Sequence, residues 1–386
     1  MEKSKPIPYG RQNITEEDIE AVVNVLRSDF LTQGPFVPMF EQKLCEYTGA
    51  KHSVAVNSCT SALHIACLAL ELGSGDILWT SPITFVASAN CALYCGATVD
   101  FVDIETDTVL MSVEKLKEKL KLAKKNGKLP KIVMPVHFSG QSCDMKEIHL
   151  LSQQYGFKII EDAAHAIGAK YHNNIVGDCR YSDITVFSFH PVKIITTGEG
   201  GVAMTNSSYL SEKMQLLRSH GIVKNHTKMI DKSKDSWYYE QVDLGFNYRM
   251  TEFQAALGIS QLKKLDFFIN ERSKIAKQYD SEFNNLPIQT IKQNKYTKSA
   301  HHLFVIRVND GEKTRDKLFK YLIENNVLVN LHYIPVYRQP YYNAFEYERL
   351  PNAERYYKTT LSIPIFPLIK QHEIGKILKL IVNNIG

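Results

Sequence analysis

The chain has 386 residues, 44% of them hydrophobic, 10% aromatic and 23% charged. That is a globular composition, and it excludes collagen-like, low-complexity and largely disordered chains. Its 46 basic and 41 acidic side chains leave a formal +5, too dilute over this length to argue for a nucleic-acid partner. The seven cysteines (Cys45, Cys59, Cys67, Cys91, Cys95, Cys143 and Cys179) are odd in number and scattered through apolar runs, unlike a secreted disulfide framework. With no apolar leader and no run of roughly 18 apolar residues for a membrane span, the expectation is a cytoplasmic protein with no membrane partner.

In chain order, Thr15-Glu16-Glu17-Asp18 reads as the capped start of a helix through Ile19, Val22, Val23 and Leu26. Gly34, Pro35 and Pro38 make Phe30–Pro38 a loop, and a second helix is expected over Phe40–Tyr47, ending at Gly49. His52–Asn57 is a buried strand, and Ser58-Cys59-Thr60-Ser61 opens an apolar helix that reaches Leu72. Strand-like runs then follow at Ile77–Ser81, Thr98–Val102, Ile132–Val136, Lys158–Ile160 and Thr185–Phe189. Between them lie helical patterns at Phe85–Tyr94, Val113–Lys125 and Met145–Tyr155, the alternation of βαβ units on a mostly parallel sheet. The lysines between Lys115 and Lys131 fit a solvated helix face better than a polyanion site.

Apolar spacing predicts one long helix over Glu252–Tyr279. Beyond it come a strand His302–Val308, a helix Arg315–Asn325, a strand Val327–Leu331 and a final helix from Gln371, together a compact α+β unit. The expected organisation is an arm over 1–14, a large domain over 15–251, and a bridging helix with a small carboxy-terminal domain over 252–386.

The apolar strand Ile159-Ile160-Glu161-Asp162 ends in a carboxylate, and Lys193 follows 31 positions later within Ser188-Phe189-His190-Pro191-Val192-Lys193. Ligands of open α/β sheets gather at the carboxyl ends of strands, so both groups can face one pocket, although two unrelated surface groups explain the spacing as well. Asn57–Ala62 is a strand-to-helix junction whose unpaired amides suit a phosphate, and a plain helix cap would use the same residues. Phe85 ends the next strand, where by itself it would be core.

Together, these stretches resemble the DegT/DnrJ/EryC1/StrS family of sugar aminotransferases. Leu31-Thr32-Gln33-Gly34, Thr84-Phe85-Val86-Ala87, Glu161–His165, Gly198-Glu199-Gly200-Gly201 and Gly245–Met250 carry the same resemblance in the same order. It implies the α/β fold of type I pyridoxal 5'-phosphate (PLP) enzymes: a mostly parallel seven-stranded sheet in a large domain, plus a small α+β carboxy-terminal domain. Within the family, Ser188–Lys193, Arg218–Lys224 and Leu331-His332-Tyr333 with Pro335 and Tyr337 resemble a branch that aminates C4 of a UDP-linked 4-keto-6-deoxy-N-acetylhexosamine with L-glutamate as donor. Ile194 stands where that branch carries proline. A dTDP-sugar or C3 aminotransferase, or a non-catalytic PLP-binding regulatory protein on the same scaffold, are the alternatives.

By that resemblance Lys193 is the catalytic amine that anchors the cofactor, and Asp162 keeps the pyridine nitrogen protonated. Phe85 would stack on the ring and His165 would lie near it. Cys59, Thr60, Ser61 and Ser188 would hold the phosphate, with Asn247 contributed by a second subunit of a homodimer, which brings Tyr248 and Arg249 near the subunit boundary. A structural ion pair explains Arg249 as well as substrate contact does. Tyr9, Asp29, Phe30, Leu31, Thr32, Leu331, His332, Tyr333 and Ile334 are the expected substrate contacts, and no metal is expected.

Overall fold

A computed structural model describes residues 5–225, 227, 229–231, 235, 237–284, 286–345 and 347–385, so the first four residues of the expected arm lie outside it. Seven strands form one sheet in the order His52–Val56, Gly201–Thr205, Ile184–Ser188, Lys158–Asp162, Ile132–Met134, Ile77–Thr80, Thr98–Phe101. Within it only Gly201–Thr205 runs antiparallel to its neighbours. The strands Ile132–Met134, Ile184–Ser188 and Gly201–Thr205 are buried at every residue. They read as continuous apolar runs because helices cover both faces of a parallel sheet. The expected architecture, an α/β layer with a mostly parallel seven-stranded sheet, is the one observed.

A second sheet of three antiparallel strands, Ile288–Thr290, Phe304–Val308 and Thr360–Ile363, forms the smaller α+β unit. Its core joins Ile306, Leu318, Leu361 and Ile377 to the helix Leu265–Phe283. Ile7, from the amino-terminal arm, is buried in the same core and bridges to Val327. Arg272, only 1% exposed, donates through Nη1 to the carbonyls of His302 (3.2 Å) and Ile365 (2.8 Å). The hydroxyl of Tyr279 donates to Pro364 O at 2.9 Å.

Four expected elements are corrected. The second helix spans Phe36–Thr48. Pro38 sits in its first turn, where a missing N–H costs no intrahelical bond, and the Phe36 amide donates to Glu252 Oε2 at 2.6 Å. The long helix is two, Glu252–Leu262 and Leu265–Phe283. With neither glycine nor proline at the joint, the break is tertiary: Gln261 and Lys264 both reach Asp18 Oδ2, at 2.8 and 2.7 Å. Val327–Leu331 forms isolated bridges, Val327 to Ile7 and Asn330 to Ser362, in place of a strand. The helix expected from Phe85 starts at Ala87, which leaves Phe85 on the loop, 60% exposed.

Candidate active site

At the carboxyl ends of the parallel strands the chain encloses a cavity of about 620 Å³, where such sheets place ligands. The backbone of Asp162 is locked from both sides: its amide donates to Pro135 O (3.0 Å), and its carbonyl accepts from the His137 amide (2.9 Å). Its carboxylate, 4% exposed, accepts from Ser88 Oγ at 2.5 Å and from the Ala164 amide at 3.1 Å. Successive strand residues face opposite sides. Glu161 therefore points away, into a buried knot where it accepts from Thr185 (2.8 Å), Ser182 (2.5 Å) and His137 Nε2 (2.6 Å).

Lys193 lines the same cavity from the loop after Ile184–Ser188. Its position is set by its amide donating to His190 O at 2.9 Å and by Thr197 N closing on Phe189 O at 3.0 Å. Its amine makes no hydrogen bond or ion pair among the described residues. Burial lowers its pKa to about 8, against the opposing pull of Cys59 and Asp162. A lysine held near neutrality is a usable nucleophile and base.

The third side is the start of the helix Cys59–Ala69. Ser58 caps it, accepting from the Ser61 amide at 3.1 Å, and Ser61 Oγ turns back to Asn57 Oδ1 at 2.7 Å. That leaves the Cys59 and Thr60 amides as first-turn donors without intrahelical partners, aimed with the positive end of the helix dipole. Gly201 keeps the terminus in place. A Cβ there would stand 2.6 Å from the Cys59 nitrogen, the Cys59 Cα and the Ser58 carbonyl oxygen, closer than any side chain allows.

Aromatic and imidazole groups complete the walls. The Ser139 amide donates to His165 Nδ1 at 3.3 Å, so the proton of this imidazole sits on Nε2, which faces Tyr333 Oη at 3.1 Å. Burial, then Lys193 and His332, hold His165 well below its ordinary pKa. His302 packs on it with ring centroids 4.4 Å apart, and its Nδ1 is buried without a partner among the described residues. Burial, with Lys193 second, pushes His332 down to about 3, and its Nδ1 lies 2.9 Å from Ser362 Oγ. Burial, then His165 and Lys193, hold His302 well below its ordinary pKa too, so His165, His302 and His332 face the cavity as neutral imidazoles.

Of the residues singled out by sequence, Tyr9, Cys59, Thr60, Phe85, Asp162, His165, Ser188, Lys193, Leu331, His332, Tyr333 and Ile334 line this one cavity. Ser61 does not, because its hydroxyl and amide are used inside the cap. Asp29, Phe30, Leu31 and Thr32 lie on an exposed loop away from the lining, where Leu31 O accepts from the Glu252 amide at 3.0 Å. Asn247 is also outside it, bridged to Ser219. Arg249 makes no ion pair within its own chain among the described residues, and its Nε is buried there without an acceptor. Sequence reasoning missed Ser58, Ser88, Glu199, His302 and Gln339 as lining residues. Ser58 had a local signal as a helix cap and Glu199 lay within the Gly198–Gly201 stretch, whereas Ser88, His302 and Gln339 had none.

A profile of the DegT/DnrJ/EryC1/StrS aminotransferase family matches residues 12–382. The chain belongs to that family. A Campylobacter jejuni protein named UDP-4-amino-4,6-dideoxy-N-acetyl-beta-L-altrosamine transaminase is 41% identical over 361 residues, 93% of this chain and 92% of that one. Among solved structures, Helicobacter pylori PseC, an aminotransferase involved in the biosynthesis of pseudoaminic acid, superposes with a TM-score of 0.90 at 33% identity and covers 99% of both chains. The PLP form of Streptococcus pneumoniae Spr1654 does so with 0.88 at 26% identity, covering 99% of this chain and 100% of that one. The residues present fit that cofactor. The Gly201 cradle would collide with any larger residue, unpartnered amides suit a phosphate, an exposed Phe85 face suits a ring, and a carboxylate and an unpartnered amine line the space between.

Proposed function

We propose that this aminotransferase moves the amino group of L-glutamate to C4 of UDP-2-acetamido-2,6-dideoxy-β-L-arabino-hex-4-ulose, giving UDP-4-amino-4,6-dideoxy-N-acetyl-β-L-altrosamine. The observation that carries the chemistry is an unpartnered lysine amine, brought to a pKa of about 8, in one cavity with a buried aspartate. The choice of sugar rests on the 41% identity to the Campylobacter jejuni protein of that name.

Bound PLP would supply an aldehyde that accepts the amino group and a ring that withdraws electrons from the reacting carbon. Lys193 would anchor it and, once freed, carry a proton to and from the amino-bearing carbon through Nζ. Asp162 would keep a proton on the ring nitrogen through a charge-assisted hydrogen bond. Cys59, Thr60 and Ser188 would hold the phosphate, with Asn247 reaching in from a second copy, since it lies outside its own chain's cavity. Phe85 would cover one ring face, and His165 would hold Tyr333. Tyr9, His332 and the segment 331–334 would contact the sugar nucleotide. A cytoplasmic homodimer divided into the arm, large domain and small domain set out above belongs to the same reading.

Incubation with glutamate and a panel of UDP- and dTDP-ketosugars, with NMR identification of the product, tests it. C4 amination of the UDP-ketosugar is expected. Amination of a dTDP-sugar, or at C3, would replace the substrate, and a cofactor spectrum without amine exchange would replace the enzyme by a binding protein.

A further inference from the structure

Ser88 belongs to no sequence motif considered above, yet it is 1% exposed and touches two groups of the cavity. Its hydroxyl lies 2.5 Å from Asp162 Oδ2 and 2.7 Å from Thr84 Oγ1. A carboxylate oxygen accepts, and of the two acceptors in reach of the Ser88 hydroxyl, Asp162 Oδ2 at 2.5 Å and Phe85 O at 3.2 Å, the much nearer Asp162 takes its single proton. Thr84, 3% exposed, must then donate to Ser88. The direction of the whole chain, Thr84 to Ser88 to Asp162, follows from the charge at its end. Each hydroxyl polarises the next in a dry interior.

The backbone of Ser88 serves the other group. Its amide donates to Phe85 O at 3.2 Å, closing the turn that leaves the Phe85 ring at the cavity while the helix Ala87–Tyr94 starts behind it. With the Ala164 amide on Oδ1, the carboxylate is gripped at both oxygens, and its orientation no longer depends on a ligand. We infer that Ser88, backed by Thr84, is a positioning residue that aims the Asp162 carboxylate and holds the Phe85 wall from one point. The inference rests on the aminotransferase reading above.

The test uses the full-length protein stripped of cofactor and titrated with PLP by absorbance, followed by steady-state kinetics with glutamate and the UDP-ketosugar. Ser88→Ala is expected to raise the PLP dissociation constant and lower kcat, each by about tenfold, with KM for the ketosugar little changed. Ser88→Thr, which keeps the hydroxyl, restores both. Thr84→Val, which leaves Ser88 in place, gives a smaller loss in the same direction and stands in if Ser88→Ala fails to fold. In an Asp162→Asn background Ser88→Ala adds little, whereas a merely structural serine would subtract the same amount from both backgrounds. Parent-like affinity and kcat in Ser88→Ala, or additivity with Asp162→Asn, would overturn the relay alone. A parent protein that takes up no PLP would overturn the reading beneath it as well.

Discussion

Gly201→Ala puts a methyl group where the first turn of the helix Cys59–Ala69 already stands. At 2.6 Å from the Cys59 nitrogen and the Ser58 carbonyl oxygen, the new Cβ reaches the 3.4 Å floor of ordinary contact only if the helix terminus retreats by about 0.8 Å. The helix has nowhere to go, because Ala62, Ile65, Ala66 and Cys67 behind the terminus are fully buried. Overpacking of this kind costs about 1–3 kcal/mol, and displacing a binding group by nearly an ångström can cost on the order of a hundredfold in function. Two measurements separate the effects: thermal unfolding of the cofactor-free protein, and PLP titration by absorbance. The expected result is a modest fall in the first and a loss of affinity of at least about tenfold in the second. Gly375→Ala, with nothing within 4 Å of its Cβ and a helical site that favours alanine, should change neither for the worse. Parent affinity in Gly201→Ala would show that this terminus holds no phosphate.

Lys193→Ala should abolish amine exchange while leaving the unfolding temperature of the cofactor-free protein within a few degrees of the parent, as read by single-turnover assay and calorimetry. Only a neutral amine attacks an aldehyde, so the rate of PLP uptake should climb with pH through a midpoint near the lysine's pKa of about 8; a midpoint above 10 would mean that burial does not depress it. Burial alone would raise Glu161, but hydrogen bonds from His137, Ser182 and Thr185 hold it below its ordinary 4.5. Its contribution is therefore present above pH 4.5 and lost as pH falls through the lower folded value. Glu161→Gln should cost about 2 kcal/mol at neutral pH and flatten the acid limb of a stability–pH curve measured by urea unfolding.

The parallel sheet was legible because each buried strand is a short apolar run between polar turns, and Asp162 and Lys193 because strand ends are where such sheets bind. The strand Gly201–Thr205 escaped notice because three glycines crowd its start, and Gly201 itself is there to admit a helix terminus. Pro38 looked like a breaker because its place within the first turn could not be known. Ser88 and His302 meet Asp162 and His165 only after folding, across 74 and 137 positions, and no local pattern announces that. Asp29–Thr32 were attractive as irregular aromatic sequence, yet in the folded chain that loop packs toward Glu252 and not the cavity.

The guanidinium of Arg272, with no carboxylate to pair with among the described residues, donates through Nη1 to the backbone carbonyls of His302 and Ile365, which flank one end of the paired strands Phe304–Val308 and Thr360–Ile363. One of those carbonyls belongs to the residue whose imidazole faces Lys193's cavity. Any tilt of the helix Leu265–Phe283 is thus geared to the imidazole wall. Pressure applied far out on the carboxy-terminal unit would be felt at the reacting groups as a change of shape rather than of charge.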